Sequence, residues 1–243
     1  MKTSVEASPQ LYARTGGALY LILIVLGFFA QFTLNKAVVS GNAAATATNI
    51  MSTESLWRFG IAAEFVALLC VITLAMIYFV LLRPVSRELN LLATFLRLIG
   101  IAVEAVATLN LVAALFPLGN MASLKAFTAE QLYALAALAI KLHAHGYSLA
   151  LLFFGACFLV HGYLIFNSGF LPKVLGILIE IAGLCYLTNS FALLVAPGLS
   201  DRIFQAIFLP AFIGELSLCL WLLLKGVNVP KWNERLRRQS ATT

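Results

Sequence analysis

Six long apolar runs, separated by short polar segments, set the pattern of this chain. Each run is long enough to cross a bilayer, since a membrane-spanning helix needs about 20 mostly apolar residues. The pattern therefore predicts an all-α polytopic membrane protein, a six-transmembrane-helix bundle. The predicted spans are 16–34, 56–82, 91–116, 143–166, 174–195 and 204–224.

The polar segments carry turn and cap signals. Pro84 cannot continue a helix, so it closes the turn over residues 83–87. Gly169 and Pro172 mark the stop and the restart of helices in the turn over residues 167–173. Asn42 is a capping residue at the start of a short predicted helix over 42–51, which we expect to lie on the membrane surface.

A further helix is predicted just before the fourth span. Thr128 and Gln131 have the spacing of a capping box, and the helix that they open covers 132–142. This helix leads directly into the fourth span, and the two together are too long for one straight crossing. We expect a break or a strong tilt near Gly146.

Basic residues are distributed unevenly between the two sides of the predicted bundle. The positive-inside rule places the richer side in the cytoplasm, so both termini are predicted to be cytoplasmic. Ten basic residues fall on that side, namely Lys2, Arg14, Arg83, Arg87, Lys173, Lys225, Lys231, Arg235, Arg237 and Arg238. Five fall on the other side, namely Lys36, Arg58, Lys125, Lys141 and Arg202.

The same reasoning predicts one membrane domain over residues 1–243, with a basic cytoplasmic tail at 225–243. The first span follows a basic segment, as a signal peptide does, but its apolar run exceeds the usual length of about 7–15 residues. We therefore expect the first span to be retained.

Composition supports a membrane protein and argues against nucleic-acid binding, a disulfide framework and a metal site. The 243 residues are 62% hydrophobic and 11% charged, whereas a soluble domain has about 45–50% apolar and about 25% charged residues. The net charge of +6 follows the topology, so it does not indicate nucleic-acid binding. All four cysteines lie in apolar runs without metal-type spacing, so we expect neither a disulfide framework nor a metal or other cofactor.

Polar side chains within the spans are the candidates for function. An ionisable group in a membrane costs several kcal/mol unless it is paired or hydrated, so it marks a site by default. An outer group of candidate ligand-binding residues consists of Glu64, Glu104, Asn110, His143, Asn189 and Glu215. Glu215 is the strongest single candidate.

An inner group consists of Arg97, Glu180 and His161. Arg97 and Glu180 have matching depths and opposite charges, so they are a candidate structural ion pair between the third and fifth spans. Glu104 is the alternative partner, because it lies seven residues from Arg97 on the same helix face. Extension of the Arg97 side chain to the inner surface is the third alternative.

Histidines near the outer carboxylates raise the question of a proton relay, a cation site or a metal site. His143 and His145 lie two residues apart and point to different faces of a helix, so they do not define a metal site. His143 and His161 are separated by about 27 Å along a helix and cannot share a cofactor. A structural, hydrogen-bonding role is the alternative for each histidine.

Small residues recur at regular intervals on two spans. Ser148, Gly155 and Gly162 follow one another every seven residues, and Gly176 and Gly183 have the same spacing. Small residues on one helix face allow two helices to approach closely. We therefore predict close-packed helix faces here, with a substrate-lining groove as the alternative.

Several phrases spread over nearly the whole chain carry a family resemblance. They include the segments 15–21, 42–47, 81–85, 168–172 and 214–223, together with Leu142-His143 before Gly146-Tyr147. From about Ala13 to Gly226 the chain resembles the domain-of-unknown-function 4386 family of bacterial integral membrane proteins. The resemblance implies a retained first span and a multi-pass protein of the bacterial inner membrane. It implies no activity, ligand or catalytic residue.

Three functions fit these features. The first is binding of a small molecule or an ion in an outward-facing pocket inside the bundle, as in a transporter or a sensor. The second is a structural or partner-binding protein whose polar residues only lock the helices together. The third is an intramembrane enzyme that uses Glu and His as acid and base, which we disfavour because no nucleophile or metal motif has a recognisable spacing. The expected partners are the lipid bilayer and that ligand.

Overall fold

Eight helices make up the described part of the chain. The computed structural model describes residues 9–119, 124 and 126–240, without the side chains of 197, 199–205 and 240. In chain order the helices are α1 (Pro9–Ala37), α2 (Ala43–Ser52), α3 (Glu54–Leu82), α4 (Arg87–Ala113), α5 (Ala129–Ser168), α6 (Lys173–Val195), α7 (Pro197–Leu224) and α8 (Val229–Ser240).

Six of these helices, namely α1, α3, α4, α5, α6 and α7, are long and apolar enough to cross a membrane. Large apolar side chains cover their outer surfaces, as at Leu69 and Val106, which are both 64% exposed. A soluble domain would not expose such surfaces, whereas lipid would cover them. The prediction of an all-α, six-span bundle is confirmed. The orientation of the termini remains a prediction, and it counts Lys2, Lys125 and the side chain of Arg202, which lie outside the described residues.

The six spanning helices form a closed ring. Each packs against two neighbours in the order α1, α3, α4, α5, α6, α7 and back to α1. A ring of this kind has an outer surface for lipid and an inner surface that all six helices share. Polar side chains on the inner surface can therefore meet even when they come from distant parts of the chain.

The predicted turns and caps are formed. The Asn42 side chain accepts a hydrogen bond from the backbone N–H of Ala45 at the start of α2. Thr128 and Gln131 make both hydrogen bonds of the capping box that opens α5. Gly169 ends α5 with a φ of 75°, a left-handed conformation that glycine adopts without a steric penalty.

Of the two alternatives expected near Gly146, the break is not formed, because α5 runs without interruption through its 40 residues. The strong tilt remains a prediction. The length of α5 is about 60 Å, roughly twice the thickness of the bilayer core, and its first part packs against α2. A Cβ added at Gly146 would lie 2.6 Å from the Cβ of Ala107 on α4. Gly146 therefore allows α4 and α5 to approach, and it does not end a helix.

The small residues predicted to pack closely do so, and they face each other across α5 and α6. A Cβ at Gly162 would lie 2.7 Å from the carbonyl oxygen of Gly176, and a Cβ at Gly155 would lie 2.8 Å from that of Gly183. One step further along, the Ser190 hydroxyl donates to the Ser148 carbonyl at 2.7 Å. The seven-residue spacing on each helix thus forms one antiparallel contact, which we call the glycine seam.

The basic tail contains a helix that the sequence analysis did not predict. Trp232 on α8 is fully buried, and its indole N–H donates to the Leu81 carbonyl at 2.9 Å. The end of α3 is thereby joined to α8. The tail therefore packs against the bundle through Val229, Trp232 and Leu236.

Candidate functional site

Glu215 lies on α7 and is held by two tyrosines from other helices. The Tyr20 hydroxyl on α1 donates to one carboxylate oxygen at 2.7 Å. The Tyr186 hydroxyl on α6 donates to the other oxygen. Both oxygens of the carboxylate therefore have neutral donors, and Arg97 attracts it only from beyond ion-pair distance.

Arg97 on α4 is buried among aromatic rings. Its guanidinium carbon lies 5.1 Å from the centre of the Tyr78 ring and 5.6 Å from that of Phe158. Such contacts attract a cation to the faces of the rings, but they do not satisfy all of its N–H groups. Two polar side chains of α5 lie beside it: Nδ1 of His161, 3.5 Å from an Arg97 nitrogen, and the thiol of Cys157.

The predicted ion pair between Arg97 and Glu180 is not formed. No carboxylate of the described residues lies within ion-pair distance of Arg97. The physical reason is the order of the ring, in which α5 packs between α4 and α6. Glu180 lies instead against Gly162 of α5, where an added Cβ would come within 2.4 Å of its Cγ.

The position of the proton on His161 follows from its neighbour. An arginine side chain can only donate hydrogen bonds, so Nδ1 of His161 accepts from Arg97 in the tautomer with the proton on Nε2; the sulfur of Cys157 lies 3.5 Å from the same Nδ1 and can also donate to it. Among the described residues, Nε2 of His161, Nε of Arg97 and the hydroxyl of Tyr78 are buried without a hydrogen-bond partner. The rings of Tyr78 and His161 are 5.2 Å apart. Three adjacent side chains therefore each have a donor atom without an acceptor.

Each spanning helix contributes one polar side chain to this interior. We call these six residues the interior cluster: Tyr20, Tyr78, Arg97, His161, Tyr186 and Glu215. Tyr78, Arg97 and His161 are no more than 4% exposed. The cluster contains one cation and one carboxylate that do not touch, so its two charges are held apart within the ring.

The outer candidate residues are not joined in one hydrogen-bonded group. His143 Nδ1 lies 3.2 Å from the Ala107 carbonyl of α4. Asn110 donates to carbonyls of its own helix, at 3.2 Å and 3.3 Å. Asn189 is buried on α6. Glu215 makes its hydrogen bonds in the interior cluster, but its charge also acts on Tyr147 of α5.

Glu64 and Glu104 are the two outer candidates that lie close to each other. Their charges interact, and both act on Tyr147 of α5. Glu64 also lines a narrow crevice with Thr33 and Trp57. Within the described part of the chain, no three His, Cys, Asp or Glu side chains are grouped as metal ligands.

Sequence reasoning missed the three tyrosines of the interior cluster. Tyrosines in membrane proteins are enriched at the interfaces. Tyr20 and Tyr186 lie near the middle of α1 and α6, whereas Tyr78 lies one turn before the end of α3. A tyrosine far from the end of a span needs a partner for its hydroxyl, and this signal could have identified Tyr20 and Tyr186.

We expect Glu215→Gln to leave the protein folded, because glutamine keeps one oxygen to accept from a tyrosine. Glu215→Gln should lower the free energy of unfolding by about 0.5–1.5 kcal/mol, the usual value of one hydrogen bond. Glu215→Leu leaves two hydroxyls without an acceptor, at about 1–3 kcal/mol each. Thermal unfolding of the purified protein in detergent measures both changes, with Glu180→Gln and Glu180→Leu as matched controls. An equal loss for Glu215→Gln and Glu215→Leu would mean that the negative charge itself is required.

The fold and the interior cluster define a class, that of multi-pass helical membrane proteins with a polar interior. The chain belongs to the family described as "Domain of unknown function (DUF4386)", whose profile matches residues 15–226. It is similar to an uncharacterized protein of Archaeoglobus fulgidus, with 29% identity over 168 residues that cover 69% of this chain and 84% of that protein. No solved structure matches the chain.

Proposed function

We propose that this protein binds an ion or a small polar molecule inside its ring of helices, at the interior cluster. The observation that supports this function is the buried Arg97, which has no carboxylate partner among the described residues and lies next to two other side chains with unused donors. An unpaired charge within a membrane is costly and is characteristic of ion and substrate pathways. The missing group is an acceptor, so the ligand is an anion or carries one.

Glu215 gives the proposed site its second charge. Two tyrosines hold it in place, and Arg97 lies too far away to neutralise it by contact. A ligand between them would have its acceptor group near Arg97 and Tyr78. Glu64, Glu104, Asn110, His143 and Asn189 remain candidate ligand-binding residues toward the outer side. We propose that both termini lie in the cytoplasm and that the protein resides in the bacterial inner membrane. Binding of a ligand inside the bundle would suit a transporter or a sensor.

Small anions test this proposal. We expect sodium chloride or sodium formate to raise the unfolding temperature of the purified protein above its value in sodium gluconate at equal ionic strength. At ten times the dissociation constant the rise should be about 3–6 °C for a chain of this size. Tyr78→Phe and Arg97→Lys should reduce it, because they remove a donor or change its geometry.

Arg58→Gln is the matched control, since Arg58 lies on the exposed surface beside Glu54. This variant should keep the full dependence on the anion. Equal unfolding temperatures in all three salts would contradict binding of a small anion. The same loss of the effect in Arg58→Gln would assign it to the surface of the protein.

A structural or partner-binding role is the second candidate. The glycine seam favours it, because close helix packing is a sufficient reason for those residues. The hydrogen bonds of Asn110 and His143 to nearby carbonyls also need no ligand. In that case the unfolding temperature would not depend on the nature of the anion.

A further inference from the structure

A cavity of about 370 Å³ lies at the end of the bundle where the α5–α6 turn meets the α7–α8 connection. It is lined by Phe170, Leu171 and Pro172 of the turn. Trp221 of α7, Lys225 directly after α7 and Lys231 of α8 also line it. We call this space the basic cavity.

The basic cavity is positively charged. Lys225 and Lys231 are exposed, and neither forms an ion pair with a carboxylate of the described residues. Helix α6 begins beside the cavity at Lys173, and no side chain caps its first N–H groups after Pro172. Free N–H groups and the helix dipole attract anions to such a terminus. Two cations and one uncapped helix terminus thus lie around the same space.

Exposed apolar side chains stand within three residues of cavity-lining positions on α6 and α7. Val174, on the first turn of α6, is 57% exposed, and Leu224, on the last turn of α7, is 66% exposed. Trp221 is partly buried, and its indole N–H donates to the Gly226 carbonyl at 3.1 Å. A tryptophan that is apolar on one side and polar on the other is typical of the membrane interface. A ligand with a charged head and apolar chains would match both surfaces.

Helix α8 holds Lys231 at this position. Trp232 anchors α8 to the end of α3 through its hydrogen bond to the Leu81 carbonyl. The Asn228 side chain accepts from the backbone N–H of Lys231, which fixes the first turn of α8. Arg235, Arg237 and Arg238 follow on the same helix, so the charge around the cavity is reinforced by a basic segment.

We propose that the basic cavity binds the phosphate headgroup of an anionic phospholipid, with the acyl chains along the apolar surface beside Val174 and Leu224. The phosphate lies between Lys225, Lys231 and the start of α6. The proposal does not depend on the interior cluster. Free phosphate shares the chemistry of the headgroup but cannot use the apolar surface, so we assign the site to the lipid.

The test measures lipid binding to the full chain after delipidation in detergent, by native mass spectrometry. Dioleoyl phosphatidylglycerol should bind, and dioleoyl phosphatidylcholine, which has the same chains and no net charge, should bind at least tenfold more weakly. The double variant Lys225→Gln/Lys231→Gln should weaken binding of phosphatidylglycerol about thirtyfold. The double variant Lys36→Gln/Lys141→Gln removes two exposed lysines elsewhere and should leave it unchanged.

Three results would overturn the proposal. Equal binding of the two lipids would show that the charge of the headgroup is not recognised. An equal loss in both double variants would show general attraction to a basic protein. Complete displacement of phosphatidylglycerol by inorganic phosphate, measured at constant ionic strength, would assign the site to free phosphate. A single bound phosphatidylglycerol that is lost only in Lys225→Gln/Lys231→Gln supports the lipid site.

Discussion

Valine in place of Gly162 or Gly176 is expected to separate α5 from α6 and to lower both the yield and the stability of the folded protein. A Cβ at Gly176 would lie 2.6 Å from the Gly162 carbonyl oxygen and 2.7 Å from the backbone nitrogen of Phe166. Both neighbours are backbone atoms, so no side-chain rotation relieves the contact. Overpacking of a core costs about 1–3 kcal/mol even where side chains can move, and we expect at least the upper value here.

Size-exclusion chromatography and thermal unfolding in detergent measure this effect. A loss of about 3 kcal/mol would lower the unfolding temperature by roughly 6–12 °C for a chain of this length. Gly27→Val is the matched control, because it makes the same change in a spanning helix where nothing lies within 4 Å of the added Cβ. Normal yield and stability for Gly162→Val would show that α5 and α6 do not pack through this seam.

The glycine seam shows which part of the structure the sequence predicts well. A seven-residue spacing places small residues on one side of a helix because two turns of an α-helix hold about seven residues. The spacing within α5 and within α6 therefore predicts two close-packed faces. That these faces meet each other is also expected, since short turns join consecutive helices into antiparallel neighbours. The helix limits follow in the same local way from caps, prolines and glycines.

The interior cluster could not be predicted to the same extent. The side chains that meet across a ring depend on the rotation of every helix and on the order of the helices. Neither can be derived from the local patterns of a single sequence. Arg97 and Glu180 have matching depth and opposite charge, but α5 lies between their helices. Gly146 is of a residue type that often marks a helix break, but it faces Ala107 and therefore serves close packing. Local signals identify such residues without identifying their partners.

Charge in the interior was identified from the sequence, while its chemical environment was not. Glu215 and Arg97 stand out because carboxylates and guanidinium groups are rare in membrane spans. Their surroundings come from tyrosines, a histidine and Phe158 on four other helices. Tyrosine and phenylalanine are not unusual within an apolar run, so the position of these side chains became evident only from the fold. His161 was identified from the sequence, but its contact with Arg97 was not.

Methionine in place of Arg97 is expected to stabilise the protein, by about 1–4 kcal/mol, the range found when buried ionic groups are replaced by apolar side chains. The reason is that no carboxylate of the described residues pairs with the buried Arg97, while methionine is flexible, packs favourably beside aromatic rings such as those of Tyr78 and Phe158, and needs no hydrogen bond. Replacing a polar residue of a functional site commonly raises the stability of a protein and reduces its function. The unfolding temperature should rise by about 2–4 °C for each kcal/mol.

Two further variants make the result for Arg97→Met specific. Arg97→Lys keeps the charge and should show no gain, since lysine is buried with the same lack of a partner. Arg58→Met removes an exposed arginine, where changes stay within about 0.5 kcal/mol. A loss of more than about 3 kcal/mol in Arg97→Met would contradict the unpaired state, because that is the effect of breaking a buried ion pair. Stabilisation together with loss of the chloride and formate effect would link the unpaired charge of Arg97 to anion binding.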